Sequence, residues 1–132
     1  MAQLPIIAMV MLAILIPYNI NKNTYAQKDN SSSDIPGNVV NSKYLSITNH
    51  RYRQGEFGDT VTGTIVNNST QDVGFASVYA ALYDRDNVLI TMESGSVSVS
   101  SLKAGDDSPF TINVFGVKDI DHYTLFPAGT PS

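Results

Sequence analysis

Two acidic turns and one histidine are the residues whose types and spacing come nearest to chemistry. Asp84, Asp86 and Asn87 stand within four positions, and Asp106 with Asp107 makes a second acidic loop. Hard oxygen donors of this kind suit calcium, which takes six to eight oxygens, often from more than one loop. The glycine and terminal glutamate of a helix–loop–helix calcium site do not follow at the required offsets. Asp and Asn are also the residues that a hairpin turn prefers on conformational grounds alone. His122, between Asp121 and Tyr123 and near Asp119, offers a nitrogen that copper(II) or zinc would accept. The chain's other histidine, His50, sits beside Arg51 and Arg53, whose charges oppose a bound cation. The weak metal candidates are therefore Asp84, Asp86, Asn87, Asp106, Asp107 and His122.

Other chemistries lack their residues. There is no cysteine, which excludes thiolate metal sites, iron–sulfur clusters, cysteine nucleophiles and disulfide staples. Ser94-Gly95-Ser96 lacks the first glycine and the strand-to-helix setting of a nucleophile elbow. No glycine-rich phosphate loop is present. A formal net charge of -4 without clustered Lys and Arg argues against nucleic acid. No catalytic residue and no cofactor is expected. Tyr52, Phe57, Tyr79 and Phe115 could line a binding face, though packing in a core is the commoner fate of such rings. Asn30-Ser31-Ser32, Asn67-Asn68-Ser69 and Asn68-Ser69-Thr70 match the N-glycosylation acceptor pattern, which makes Asn30, Asn67 and Asn68 candidates.

The elements that would position these residues start after an address segment. Leu4 to Ile16 is an apolar run of roughly 13 residues, suited to a signal-peptide core and short of the ~20 that span a bilayer. Thr24-Tyr25-Ala26 puts small residues three before and one before a cut placed after Ala26. Residues 1–26 are read as a signal helix or an uncleaved anchor, which would be the chain's only link to a membrane. Residues 27–42, rich in Asn and Ser, read as a disordered tether. From Tyr44 onward the apolar period is two. Leu45 and Ile47 share a face, as do Val61, Gly63 and Ile65, and then Phe110, Ile112 and Val114. Val73 to Asp84 is the longest candidate strand and, apolar on both faces, is expected at the centre. Asp84 to Asn87 turns it back through Val88, Leu89 and Ile90. The serine-flanked Val97 and Val99 read as an edge strand, and His122 to Phe126 as the last. About seven strands make an all-β, immunoglobulin-like sandwich over 43–127, with 128–132 as a tail.

Four stretches carry a resemblance: Thr62-Gly63-Thr64-Ile65-Val66-Asn67-Asn68, Val78-Tyr79-Ala80-Ala81-Leu82-Tyr83-Asp84, Leu102-Lys103-Ala104-Gly105 and Pro109-Phe110. Over about Leu45 to Leu125 they resemble the FxLYD domain family, although Ala80 stands where that motif has Phe. The resemblance implies an exported immunoglobulin-like module of archaea or bacteria and supplies no catalytic residue. On the residues alone, Asp84 is expected to accept turn amides, Gly63 to permit a bulge or close approach, and Gly105 to take a positive φ.

The expected function is a non-enzymatic binding or structural module outside the cytoplasm, whose partner is a protein or a cell-envelope component. The competing readings are a calcium-stabilised adhesion domain and a small metal-binding envelope protein using His122. Mass spectrometry of the exported chain is predicted to find a mature N-terminus at Gln27. A mass that retains residues 1–26 would identify the anchor instead.

Overall fold

The computed structural model describes residues 34–132. The signal segment, the cut after Ala26, Asn30 and the first part of the tether lie outside the described residues. Those described are all-β: eight strands and no helix. They are β1 (Gly37–Val39), β2 (Leu45–Arg53), β3 (Asp59–Asn67), β4 (Val73–Tyr83), β5 (Leu89–Val97), β6 (Ser101–Leu102), β7 (Asp107–Val114) and β8 (His122–Pro131). They hydrogen-bond in the order β1-β8-β4-β5-β7-β3-β2, with β6 on β4. β1 and β2, the two ends of this path, pack against each other, so the single sheet curls almost into a barrel.

Alternation builds the interior. In β7, Ser108, Phe110, Ile112 and Val114 are buried while the residues between them are exposed. Val61 and Ile65 from β3, Val78, Ala80 and Leu82 from β4, and Tyr123 and Leu125 from β8 complete a core with no disulfide. β4 is the longest strand and central, as its two apolar faces foretold; it pairs with β5, β8 and β6. Gly105 has φ 81°.

Two irregularities shape the sheet. In β2, Asn49 and His50 form a bulge opposite Gly63, between the pairs Thr48↔Thr64 and Arg51↔Thr62. The extra residue reverses the parity of the strand, so Tyr52 points inward after Leu45 and Ile47. A Cβ on Gly63 would lie 2.8 Å from the Phe110 ring and 3.1 Å from the His50 Cα, which is the close approach expected of this glycine. The second irregularity is the crossing of β5. Its residues from Leu89 to Ser96 pair with β4, but only Ser96 and Val97 also pair with β7. β5 therefore leaves one half of the sheet and joins the other, and Gly95 makes the passage possible. A Cβ there would collide with the Thr111 carbonyl oxygen.

Four expected boundaries move. Gly37–Val39, read as tether, is a strand parallel to β8, held because Ile35 and Val39 pack against the core. Of residues 128–132, read as a tail, all but Ser132 continue β8, since Gly74 and Val73 of β4 pair with Thr130 and Pro131. β2 runs past Thr48 to Arg53 because its bulge is absorbed by the ladder rather than ending it. The expected edge strand around Val97 and Val99 is instead the end of β5, with Val99 exposed beyond it.

Gly95→Ala is predicted to destabilise the domain by about 2 kcal/mol or more, through overpacking against backbone that has no room to move. Gly74→Ala is the control: its Cβ would approach only the Thr130 carbonyl oxygen, at 3.9 Å. Urea unfolding of the two variants should separate them clearly.

Candidate functional site

The hairpin after β4 is built as the sequence led us to expect. The Asp84 carboxylate accepts the amides of Asp86 and Val88, each at 2.9 Å, and the Asp84 carbonyl accepts the Asn87 amide. Asn87 takes φ 62°, a conformation that asparagine tolerates better than most residues. Asp84, Arg85 and Asp86 line an open concavity of about 530 Å³ with Asp119, Ile120 and Asp121. His122 stacks on Tyr83 at 5.1 Å between ring centroids. Both its nitrogens are engaged, Nδ1 with Asp121 at 3.0 Å and Nε2 with Asn87 at 2.9 Å. The described residues hold no group of three or more His, Asp or Glu placed to bind a metal ion.

The second acidic loop is elsewhere. The Asp106 carbonyl accepts the Asn67 amide, and the Ala104 amide and Lys103 ammonium reach Asp72, just before β4 begins. Asp84 directly follows the last residue of β4. The length of β4, roughly 30 Å for its run of residues, separates the two loops. Asp106 and Asp107 therefore share no site with Asp84, Asp86 and Asn87.

Asn67 is a structural tie rather than an exposed turn residue. It is 0% exposed, and its Nδ2 donates to the carbonyls of Gln71 at 2.7 Å, Leu102 at 3.0 Å and Lys103 at 3.2 Å. Its Oδ1 accepts the amide and the hydroxyl of Ser69. No sugar can be carried on that nitrogen without breaking these bonds, so Asn67 drops out as a glycosylation candidate. Asn68 remains exposed.

The aromatic candidates divide. Tyr52 is buried, and its hydroxyl donates to Asp59 at 2.7 Å. Burial first, then that bond and the charge behind it, hold the Tyr52 phenol far above its ordinary range. Phe57 and Phe115 are exposed across a shallow concavity of about 320 Å³ with Gly58 and Asn113. Tyr79 is partly exposed on the outer face of β4.

The surface that our sequence reading missed is β5. Val88, Leu89 and Met92 are 57%, 49% and 51% exposed, with Ile90 and Tyr79 close behind. Cross-strand pairs set Met92 beside Ala81 and Ser94 beside Tyr79, so the apolar patch continues onto β4. On its other side, Leu89 to Gly95 has no ladder partner among the described residues. β2, at one end of the strand path, is treated differently. The free side of β2 is capped by Asn41, whose side chain accepts the Ile47 amide, and by Ser42, which accepts that of Leu45. β2 is further twisted by its bulge and charged by Arg51 and Arg53. β5 carries one charge, Glu93. The signal was present in the sequence as the uninterrupted, uncharged run Val88 to Met92, which looks like a buried strand unless its neighbours are known.

Comparison of the chain with protein-family models, curated proteins and solved structures returns no match.

His50 generates a pH prediction. Its Nδ1 lies 2.8 Å from the Tyr123 hydroxyl, in a concavity also lined by Asp34, Arg51 and Tyr52. Burial lowers its pKa below the ordinary 6.5. The unfolded chain therefore binds this proton more readily than the folded one. Stability is full above about pH 6.5 and is lost as pH falls through the lowered folded-state value. The melting temperature is predicted to drop between pH 7.5 and 5.0, with a shallower drop in His50→Gln. An unchanged slope in that variant would remove His50 as the cause.

Proposed function

We propose that this chain is an exported, non-enzymatic interaction module, an immunoglobulin-like sandwich of the FxLYD type. In this reading it takes an extended segment of a protein partner as an added strand along β5. The free, apolar edge of β5 is the observation that carries the proposal. The apolar run Leu4 to Ile16 and the Thr-Tyr-Ala junction before Gln27 support export. The partial pairing of β5, which follows β4 but meets β7 only at Ser96 and Val97, supports the sandwich reading.

Magnitudes favour strand addition over side-chain docking alone. Completing the burial of four half-exposed apolar side chains is worth about 1 kcal/mol each, since full burial is worth 1.5–3. That sum only just meets the lower estimates of the ~4–15 kcal/mol cost of association. A partner strand adds backbone hydrogen bonds, each worth about 1 kcal/mol, along the same edge.

The chemistry of the edge selects the partner. Glu93 pairs with Ala80, a core-facing residue, so its carboxylate lies on the inner side of the seam between β5 and β7. A segment with alternating apolar residues and a Lys or Arg in register with Glu93 satisfies both features. A second copy of β5 offers no cation, because the strand has none.

The test is a photoreactive side chain placed at Met92 in the native cell, compared with one at Thr62 on the outer face of β3. The prediction is one discrete adduct from Met92, abolished by Leu89→Lys, and none from Thr62. Identical adducts from both positions would contradict the proposal. An adduct of twice the chain's mass would contradict it in favour of self-association.

A further inference from the structure

Two acceptor patterns overlap in Asn67-Asn68-Ser69-Thr70, and only one of them is chemically open. N-linked sugar transfer needs an asparagine Nδ2 that can leave its hydrogen-bond partners, and a hydroxyl two residues on that the transferring enzyme can reach. In the first frame both groups are locked. Asn67 is fully buried, with Nδ2 on three carbonyls. Ser69 Oγ donates to Asn67 Oδ1 at 2.7 Å and also lies 2.9 Å from the Gln71 carbonyl. Freeing Asn67 would take a donor from three carbonyls, of which that of Leu102 is reached in a buried bond, at about 1–3 kcal/mol for a buried group left unpaired.

In the second frame both groups are available. Asn68 is exposed, and its Nδ2 makes one bond, a solvent-exposed one to the hydroxyl of half-buried Ser46 at 2.8 Å. Water replaces such a surface bond at little cost. Thr70 is exposed, and its hydroxyl holds no hydrogen bond among the described residues. The backbone of Asn68 stays anchored through its amide to the Tyr44 carbonyl at 2.8 Å, so the side chain projects from a fixed point.

We infer that Asn68 is an N-glycosylation site, with Thr70 as its recognised hydroxyl, and that Asn67 is not modified. The inference rests on the export reading, because such transfer takes place outside the cytoplasm. Asn68 follows the last residue of β3, at the end of the sheet away from the β4–β5 hairpin. A hydrated sugar there leaves the free side of β5 uncovered.

The overlap supplies its own test. The full chain, carrying its own N-terminus, is expressed in a cell that exports and N-glycosylates proteins, and the intact mass is measured before and after enzymatic sugar removal. With the separate Asn30 pattern removed by Asn30→Gln in every chain compared, one glycan is expected per exported chain. Asn68→Gln and Thr70→Ala should abolish it, Thr70→Ser should keep it, and Ser69→Ala, which destroys only the Asn67 pattern, should leave it in place. Exported chain without sugar overturns the site while leaving export intact. Sugar lost in Ser69→Ala but kept in Thr70→Ala assigns Asn67 and overturns it as well. Chain retained in the cytoplasm overturns the export reading and the site together.

Discussion

β5 pairs with β4 on one side along most of its length and with β7 on the other side only at its end, and this handover organises the molecule. β5 follows β4 from Leu89, then reaches β7 only at Ser96 and Val97. That handover lets one curled sheet enclose a core without disulfides. It requires a residue with no side chain at Gly95, where the Thr111 carbonyl occupies the place of a Cβ. It also leaves the earlier part of β5 without a second partner. The closure of the core and the openness of the edge are two consequences of one crossing.

The polar residues that first suggested chemistry mostly serve this architecture. Asp84 satisfies the amides of its own turn, Asp72 ties the Lys103–Ala104 loop to the start of β4, and Asn67 fastens the end of β3 to the chain entering β7. Each accepts or donates bonds that the backbone would otherwise lack at a strand end, where unpaired groups are costly. His122 bridges Asp121 to Asn87 and so links the two loops at the hairpin end. Among the described residues, apolar side chains left exposed and unexplained by folding include those of the β5 edge and the Phe57, Phe75 and Phe115 rings.

Much of this was legible in the residues. Period-two alternation located the interiors of β3, β4, β7 and β8, and the turn chemistry of Asp84 and Gly105 was readable directly. The errors have one physical source. A strand end is decided by the neighbour it pairs with, and local composition does not name the neighbour. Ser and Asn flanking Val39 looked disordered, yet β8 holds that segment in place. Residues 128–132 looked like a tail, yet Thr130 and Pro131 pair with the start of β4. Asn67 looked like an exposed turn residue, although three carbonyls distant in sequence or beyond the turn converge on it. Val88, Leu89 and Ile90 read only as the strand returning from the turn, because nothing local reveals that β7 pairs with its far end alone.

Amide hydrogen exchange along β5 tests the crossing most directly. From Thr91 to Ser94 the amides directed at β4 should be strongly protected, while those on the other side exchange at rates close to solvent-exposed backbone. Protection should become continuous at Ser96 and Val97. Uniform protection from Leu89 onward would mean that the strand is paired on both sides, and would contradict the account at its centre.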